Sequence, residues 1–399
     1  MTLTRSAVTP RRPPARVVAA CALFVVAWGF LHVGVFHREY DQMTGDDLGI
    51  YRGYGDAVKH GAVPYRDFPV VYPPGALPAF VVPALASDYG RSFEVEMLLC
   101  GLAAVFLVAL AAPGTVALLF AGVSPVVLGD VVRTRYDLWP ALVGTAAMLA
   151  LLRDRHRIGW ALLGAAIATK GYAICLLPLA AAWTWQRAGR RELARGVAWG
   201  AGVLAAIVLP FVAVAPGGVW QSVRDQIVRP LQIESLGGAI LMTARRAQVI
   251  GGYGSNNIAG TPAKLLAAGF EVVEVLALVW CWWRFARGSA EPERFCAFAA
   301  ASVAAFVIFG KVLSPQYLIW LVPLVALVRG RRGLTAVGLL AAACLLTQWW
   351  TPTRYGEYKD EFRWGWVVLS RDVVLVALFA VLAGAPFRRE GHTGPAPAG

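Results

Sequence analysis

Two neighbouring carboxylates, Asp46 and Asp47, open the most polar stretch of an otherwise apolar chain, DDLGIYRGYGDAVKHGAVPYRDFPVVYPP over residues 46–74. Tyr51, Tyr54, Tyr65, Phe68 and Tyr72 follow, and a rigid Pro73–Pro74 pair stops it. A carboxylate at a membrane interface is partly desolvated, which raises its pKa toward that of a working general base. A like-charged neighbour pushes one of the two further up. Asp47 also precedes a helical pattern, LGIYRGYGDAVKH, where Asp is favoured as an N-cap. The two roles are compatible, and either Asp46 or Asp47 can be the base.

The groups that could hold a departing phosphate are Arg133, Arg135, Lys170, Arg229 and Lys311. Arg does so by paired hydrogen bonds and Lys as a point charge. Lys170 lies in ATKGYAI, and a cation in such apolar surroundings marks a functional position. The competing reading for all five is snorkelling to lipid headgroups. Asp137, in RTRYD, reads as a helix cap or as a second site carboxylate. Arg229, Gln232 and Glu234 share RPLQIES, a surface loop or a binding loop. In SPQY, Ser314 is a natural N-cap and Pro315 fits the first helical position, so that Gln316 and Tyr317 face an interface. Trp349, Trp350, Trp364 and Trp366 read as an aromatic belt.

Metal chemistry finds no ligand set. There is no DxD, and the five histidines have no metal-ligand spacing. No P-loop or GxGxxG is present either, so no cofactor is expected. The six cysteines lie in or beside apolar helices without a CxxC and read as small core residues.

The elements that must position these residues are helices in a bilayer. The 399 residues are 58% hydrophobic and only 15% charged, with a mean hydropathy of +0.59. Apolar runs recur along the whole length, as in an all-α, polytopic membrane protein. Spans are expected at 17–36, 93–112, 115–131, 137–152, 158–170, 171–186, 196–214, 262–283, 295–310, 313–328, 334–350 and 365–384, about 12 crossings. A surface helix at 48–60 and a re-entrant or interfacial helix at 75–86 lie in the long first extracytoplasmic loop, 37–92. Residues 1–16 form a basic cytoplasmic tail, 17–384 the membrane domain and 385–399 a disordered cytoplasmic tail.

Charge sets the orientation. The N-terminus, the loops at 153–157, 187–195, 284–294 and 329–333 and the C-terminal tail hold 19 of the 37 Lys and Arg but 5 of the 24 Asp and Glu. That is the positive-inside pattern. It accounts for the net charge of +13 without nucleic acid. All of the candidate site residues then fall on the outer side.

Taken in order, DLGIY (47–51), GAVPYRDF (61–68), YPP (72–74), ATKGYAICLLP (168–178), RPLQIES (229–235) and SPQYLIWLVP (314–323) resemble the GT-C superfamily of membrane glycosyltransferases. The nearest resemblance is to the polyprenol-phosphate-mannose-dependent α-mannosyltransferases of bacterial envelopes. It implies an inverting, metal-free sugar transfer on the extracytoplasmic side of the plasma membrane. The donor is a polyprenyl-phosphate sugar, mannose ahead of arabinofuranose. The acceptor is a hydroxyl of a glycolipid or glycan, activated by the first-loop Asp that matches Asp47. Donor and acceptor binding then falls to Tyr51, Tyr72, Arg135, Asp137, Lys170, Arg229, Glu234, Lys311, Gln316 and Tyr317. The competing classes are a lipid-linked sugar flippase, which predicts paired broken helices in two halves, and an inactive scaffold, which tolerates loss of Asp47.

Overall fold

The structure is a computed structural model that describes residues 15–33, 47–111 and 114–384. The expectations for the two tails, for Asp46 and for the start of the first loop therefore lie wholly or largely outside the described residues.

The first helix, α1 (Ala15–Phe30), is the first expected span. The first loop then contributes α2 (Gly49–Lys59), a 3-10 turn at Pro74–Ala76 and α3 (Pro78–Ala84). At 7 residues α3 is far too short to cross a bilayer. A run of helices follows: α4 (Tyr89–Leu110), α5 (Thr115–Leu128), α6 (Val131–Thr134), α7 (Leu138–Leu152), α8 (His156–Thr169) and α9 (Leu177–Val214).

The 38 residues of α9 are two helices joined at Gly189 (φ 78°, ψ 178°), a backbone conformation that a residue without a Cβ adopts freely. The chain doubles back there. The Trp160 ring hydrogen-bonds Thr184 Oγ1 at 3.1 Å and also packs against Gly196. Those two positions would be about 18 Å apart on one straight helix at 1.5 Å per residue. The expected division into 171–186 and 196–214 thus has a physical hinge.

The region 215–261, between the expected spans 196–214 and 262–283, is not an irregular loop. It folds as α10 (Pro216–Val228), β1 (Leu231–Gln232), α11 (Leu236–Thr243), β2 (Gln248–Gly252) and β3 (Ser255–Ala259). The strands form an antiparallel sheet in the order β1-β3-β2, with Leu231 opposite Ile258 and Val249 opposite Ile258 on the other edge. Outside this small sheet the regular structure of the described residues is helical, as the all-α expectation has it. The signal for the sheet was a Gly-rich hairpin, GGYGS, at the β2–β3 turn.

The chain ends with α12 (Thr261–Ala286), α13 (Pro292–Phe309), a 3-10 turn at Pro315–Tyr317, α14 (Leu318–Ala326), α15 (Gly330–Trp350), α16 (Tyr355–Glu361) and α17 (Gly365–Ala383). Among the described residues six helical stretches are long and apolar enough to cross a membrane, and five shorter apolar helices accompany them. This is a multi-pass helical membrane protein. The helix α13 is buried along nearly its whole length, as expected of a helix that is apolar all round and packed on every side. By contrast, the second half of α9 and most of α12 turn Leu, Val and Trp outward.

The basic loops gather at one end of the bundle. Arg187 pairs with Asp154 at 2.6 Å, Arg157 with Glu192 at 2.8 Å, and Arg153 and Arg329 donate to the carbonyls of Leu110 and Ala111. The candidate site residues gather at the other end. Of the four expected belt tryptophans, Trp349 and Trp366 are exposed, whereas Trp350 is core and packs against Tyr355 and Tyr358. Trp364 donates to Glu357.

Candidate active site

Asp47 is positioned by α2. That helix buries Tyr51 and Gly55, one turn apart on a single face, and Gly55 lies directly on the Phe80 carbonyl of α3. Asp47 stands one turn ahead of Tyr51. Its side chain does not cap the helix: the cap position is Leu48, which makes no side-chain cap bond. Instead Asp47 Oδ2 lies 2.7 Å from Arg135 Nε, with both side chains largely withdrawn from solvent (21% and 12% exposed). Beneath it the Tyr51 ring stacks on Phe80 at 4.6 Å, and its hydroxyl is 3.4 Å from that of Tyr72. Tyr51 is therefore mainly a packed floor.

Asp137 and Lys170 form the second pair. Asp137 occupies the N-cap of α7 without capping it. Its Oδ1 accepts from Lys170 Nζ at 2.5 Å and from Trp320 Nε1 at 2.7 Å, and the carboxylate is fully buried. Lys170 ends α8 because its backbone turns to the extended region. Its ammonium then faces four rings, Tyr136 at 4.5 Å, Trp320 at 4.9 Å, Tyr317 at 5.5 Å and Tyr72 at 5.9 Å. Each well-placed ring face is worth about 0.5–2 kcal/mol to a cation, more as water is excluded. Trp320 is itself sandwiched between Tyr172 and Tyr317.

The loop RPLQIES closes a third side. The Gln232 amide N–H donates to the Lys311 carbonyl at 2.9 Å, and its side-chain amide donates to Glu234 Oε2 at 2.5 Å and Ser314 Oγ at 3.1 Å. Ser314 holds the expected cap position, but its hydroxyl is turned to Gln232. Burial pushes the Glu234 carboxyl up to about 7, against the pull of Arg371, Arg135 and Arg229. Arg229 donates to Ser255 Oγ at 2.9 Å and Gln226 Oε1 at 3.3 Å.

These three sides face one another. Lys170 lies within electrostatic reach of Asp137, Asp47 and Arg229, and Tyr317 within reach of Arg229, Asp137, Glu234 and Asp47. The structure thus brings together Asp47, Tyr72, Arg135, Asp137, Lys170, Arg229, Glu234 and Tyr317. Lys311 turns the other way, to Glu271 at 2.7 Å and the Ile227 carbonyl at 2.6 Å. Gln316 sits half-buried in the 3-10 turn beside Tyr317. Arg133 is also redirected: it is buried against Asp130, with Glu94 at 3.6 Å. Among the described residues no three His, Cys, Asp or Glu side chains are grouped as a metal ion would require.

Sequence reasoning passed over Arg371, Asp372 and Tyr358. Arg371 donates to the Glu234 carbonyl at 2.7 Å, Tyr358 donates to the Ile233 carbonyl at 2.6 Å, and Asp372 Oδ1 lies 2.6 Å from Arg371 Nε. The signal was present: two adjacent charges in the apolar run VVLSRDVVLVAL. Trp320 was visible only as part of SPQYLIWLVP.

A multi-pass helical bundle with carboxylates and cations drawn together at one end defines a membrane protein with a polar site built on its helix termini. The chain matches glycosyltransferase family 87 over residues 70–315, well over half its length, and belongs to that family. It is a membrane glycosyltransferase, acting on a sugar donor and an acceptor. The matched stretch includes Tyr72, Arg135, Asp137, Lys170, Arg229, Glu234 and Lys311, while Asp47 and Tyr51 lie before it and Gln316, Tyr317, Trp320 and Arg371 after it. No curated protein matches the chain.

Proposed function

We propose that the enzyme transfers mannose from a polyprenyl-phosphate donor to an acceptor hydroxyl at the extracytoplasmic face of the bacterial plasma membrane, with inversion and without metal. The observation that carries this reading is the pairing of Asp47 with Arg135 beside the Lys170–Asp137 pair. A glycosyl-phosphate bond needs a base for the attacking alcohol and cations for the departing phosphate, and these four residues supply both. The charge asymmetry of the loops supports the outer face. The choice of mannose rests on the resemblance of the first-loop and SPQY motifs.

In this mechanism the donor phosphate competes with Asp47 for Arg135 and draws on Lys170 and Arg229. Asp47, released, accepts the proton of the acceptor hydroxyl. The alcohol oxygen attacks C1 from the side opposite the phosphate. The C1–O bond breaks, and its electron pair leaves on the polyprenyl phosphate, which gains one negative charge. The surrounding cations stabilise that charge in a site with little water. The lipid tail stays in the bilayer beside the spans.

Incubating membranes that carry the enzyme with radiolabelled polyprenyl-phosphate mannose tests this. Labelled product from the wild type and none from Asp47→Asn supports it. Transfer that survives Asp47→Asn, or that runs only with a nucleotide-sugar donor, overturns it.

A further inference from the structure

Helix α10 (Pro216–Val228) presents a stripe of apolar side chains to no other described part of the chain. Trp220, Val223 and Ile227 are 61%, 47% and 61% exposed. At 3.6 residues per turn they share one narrow face, turned away from the buried Ser222. The opposite face is seated on the first loop. Gly218 lies so close to the Tyr65 carbonyl that a Cβ would collide with it, and at the edge of the stripe, beside Val223, Gln226 Nε2 donates to the Val71 carbonyl at 3.2 Å. Polar groups lie off the stripe: Gln221 donates to Asp225 at 2.6 Å, and Arg224 is exposed.

What covers the stripe is indicated by what precedes it. The second half of α9 turns Trp199, Leu209 and Val214 outward along a stretch apolar enough to cross a membrane. That surface runs up to Ala215, where the backbone leaves the helix (φ −149°, ψ 59°) and Pro216 starts α10 in a new direction. Between Trp199 and Trp220 the chain carries no charged residue, amide or hydroxyl side chain, so no polar segment separates the apolar surface of α9 from the Trp220 face. A Trp at the polar boundary, aliphatic residues beside it and an Arg on the flank are the composition of a helix lying in a bilayer interface.

We propose that the Trp220–Val223–Ile227 face of α10 is a membrane-docking surface, seated at the boundary between headgroups and acyl chains. It continues the lipid-facing surface of α9. Because Arg229 follows α10 directly, this seat fixes the height of that guanidinium relative to the lipid phosphates. The inference depends on the multi-pass bundle and not on the donor or the reaction.

Spin labels at introduced cysteines test it in the full chain, reconstituted in nanodiscs of phosphatidylglycerol and phosphatidylcholine, with the label signal of the unsubstituted chain as blank. The variants are W220C, V223C and I227C on the stripe and Q221C and D225C off it. Relaxation by oxygen over relaxation by a water-soluble nickel chelate is expected to be high at the three stripe positions and low at the other two. Nickel access at all five positions overturns the proposal, since the stripe then faces water. Exclusion of both reagents with dipolar broadening between labels also overturns it, since a second copy of the chain then covers the stripe.

Discussion

Both ends of the bundle carry ion pairs built from the same residue types, and they differ in the water that reaches them. At the basic end, Arg157 and Glu192 pair at 2.8 Å with exposures of 50% and 21%, and the Arg187–Asp154 pair is similarly open. Such pairs contribute about 0–1 kcal/mol, because water screens them and long side chains lose entropy. At the site end, Lys170 and Asp137 pair at 2.5 Å with exposures of 13% and 0%. A charge removed there leaves its partner stranded, at a cost of roughly 3–5 kcal/mol. The first kind of pair tolerates change. The second does not, because neither partner can turn to water.

Replacing Asp47 with Asn gives the largest expected effect. Its amide still reaches Arg135 but cannot take a proton, so transfer from polyprenyl-phosphate mannose falls by roughly 10²–10⁴-fold. Protein level and thermal unfolding stay near wild type, and a transfer assay on matched membranes reads the difference. Lys170→Met comes next, with transfer down by roughly 10²-fold. It also lowers the melting temperature by stranding Asp137. The double variant Lys170→Met/Asp137→Asn recovers much of the stability without the activity, and that separation shows that the lysine acts on the donor.

Glu234→Gln has a smaller effect, visible in the pH dependence. The folded chain holds the Glu234 proton up to about 7, above the ordinary value of 4.5. Its contribution to stability is therefore complete below about pH 4.5 and is lost as pH rises through about 7. The drop in melting temperature between pH 5 and pH 8 should be smaller in the variant than in the wild type. The smallest effect belongs to the open end: Arg157→Gln leaves both the melting temperature and transfer near wild type. A large loss there would erase the contrast between the two ends.

How much of this was legible before the fold was known follows the kind of signal each element gives. Spans are legible because a run of apolar residues needs only its own length to be recognised. The helix at 48–60 was legible from the helical pattern LGIYRGYGDAVKH that follows Asp47. Lys170 stood out because charge in an apolar setting is rare, but that it pairs with Asp137 was not legible, since 33 residues separate them. The roles given to Asp47 and Asp137 as caps rested on local rules, and tertiary partners overrode them. Lys311 looked like its neighbours Arg229 and Lys170, and only the approach of Glu271 on α12 turned it aside. The β-sheet in 215–261 was missed because strands of 2 to 5 residues carry too little periodicity to register.

One contact in the first loop carries a last consequence. A Cβ on Gly75 would come within 2.7 Å of the Ala168 carbonyl oxygen and 2.9 Å of the Thr169 nitrogen, and Trp139 Nε1 donates to the Gly75 carbonyl at 3.1 Å. The loop that carries Tyr72 is thereby bolted to the last turn before Lys170 and to the first turn after Asp137. Three segments far apart in the chain share one anchor point. A single extra methyl at Gly75 would pry that floor from the cation it supports.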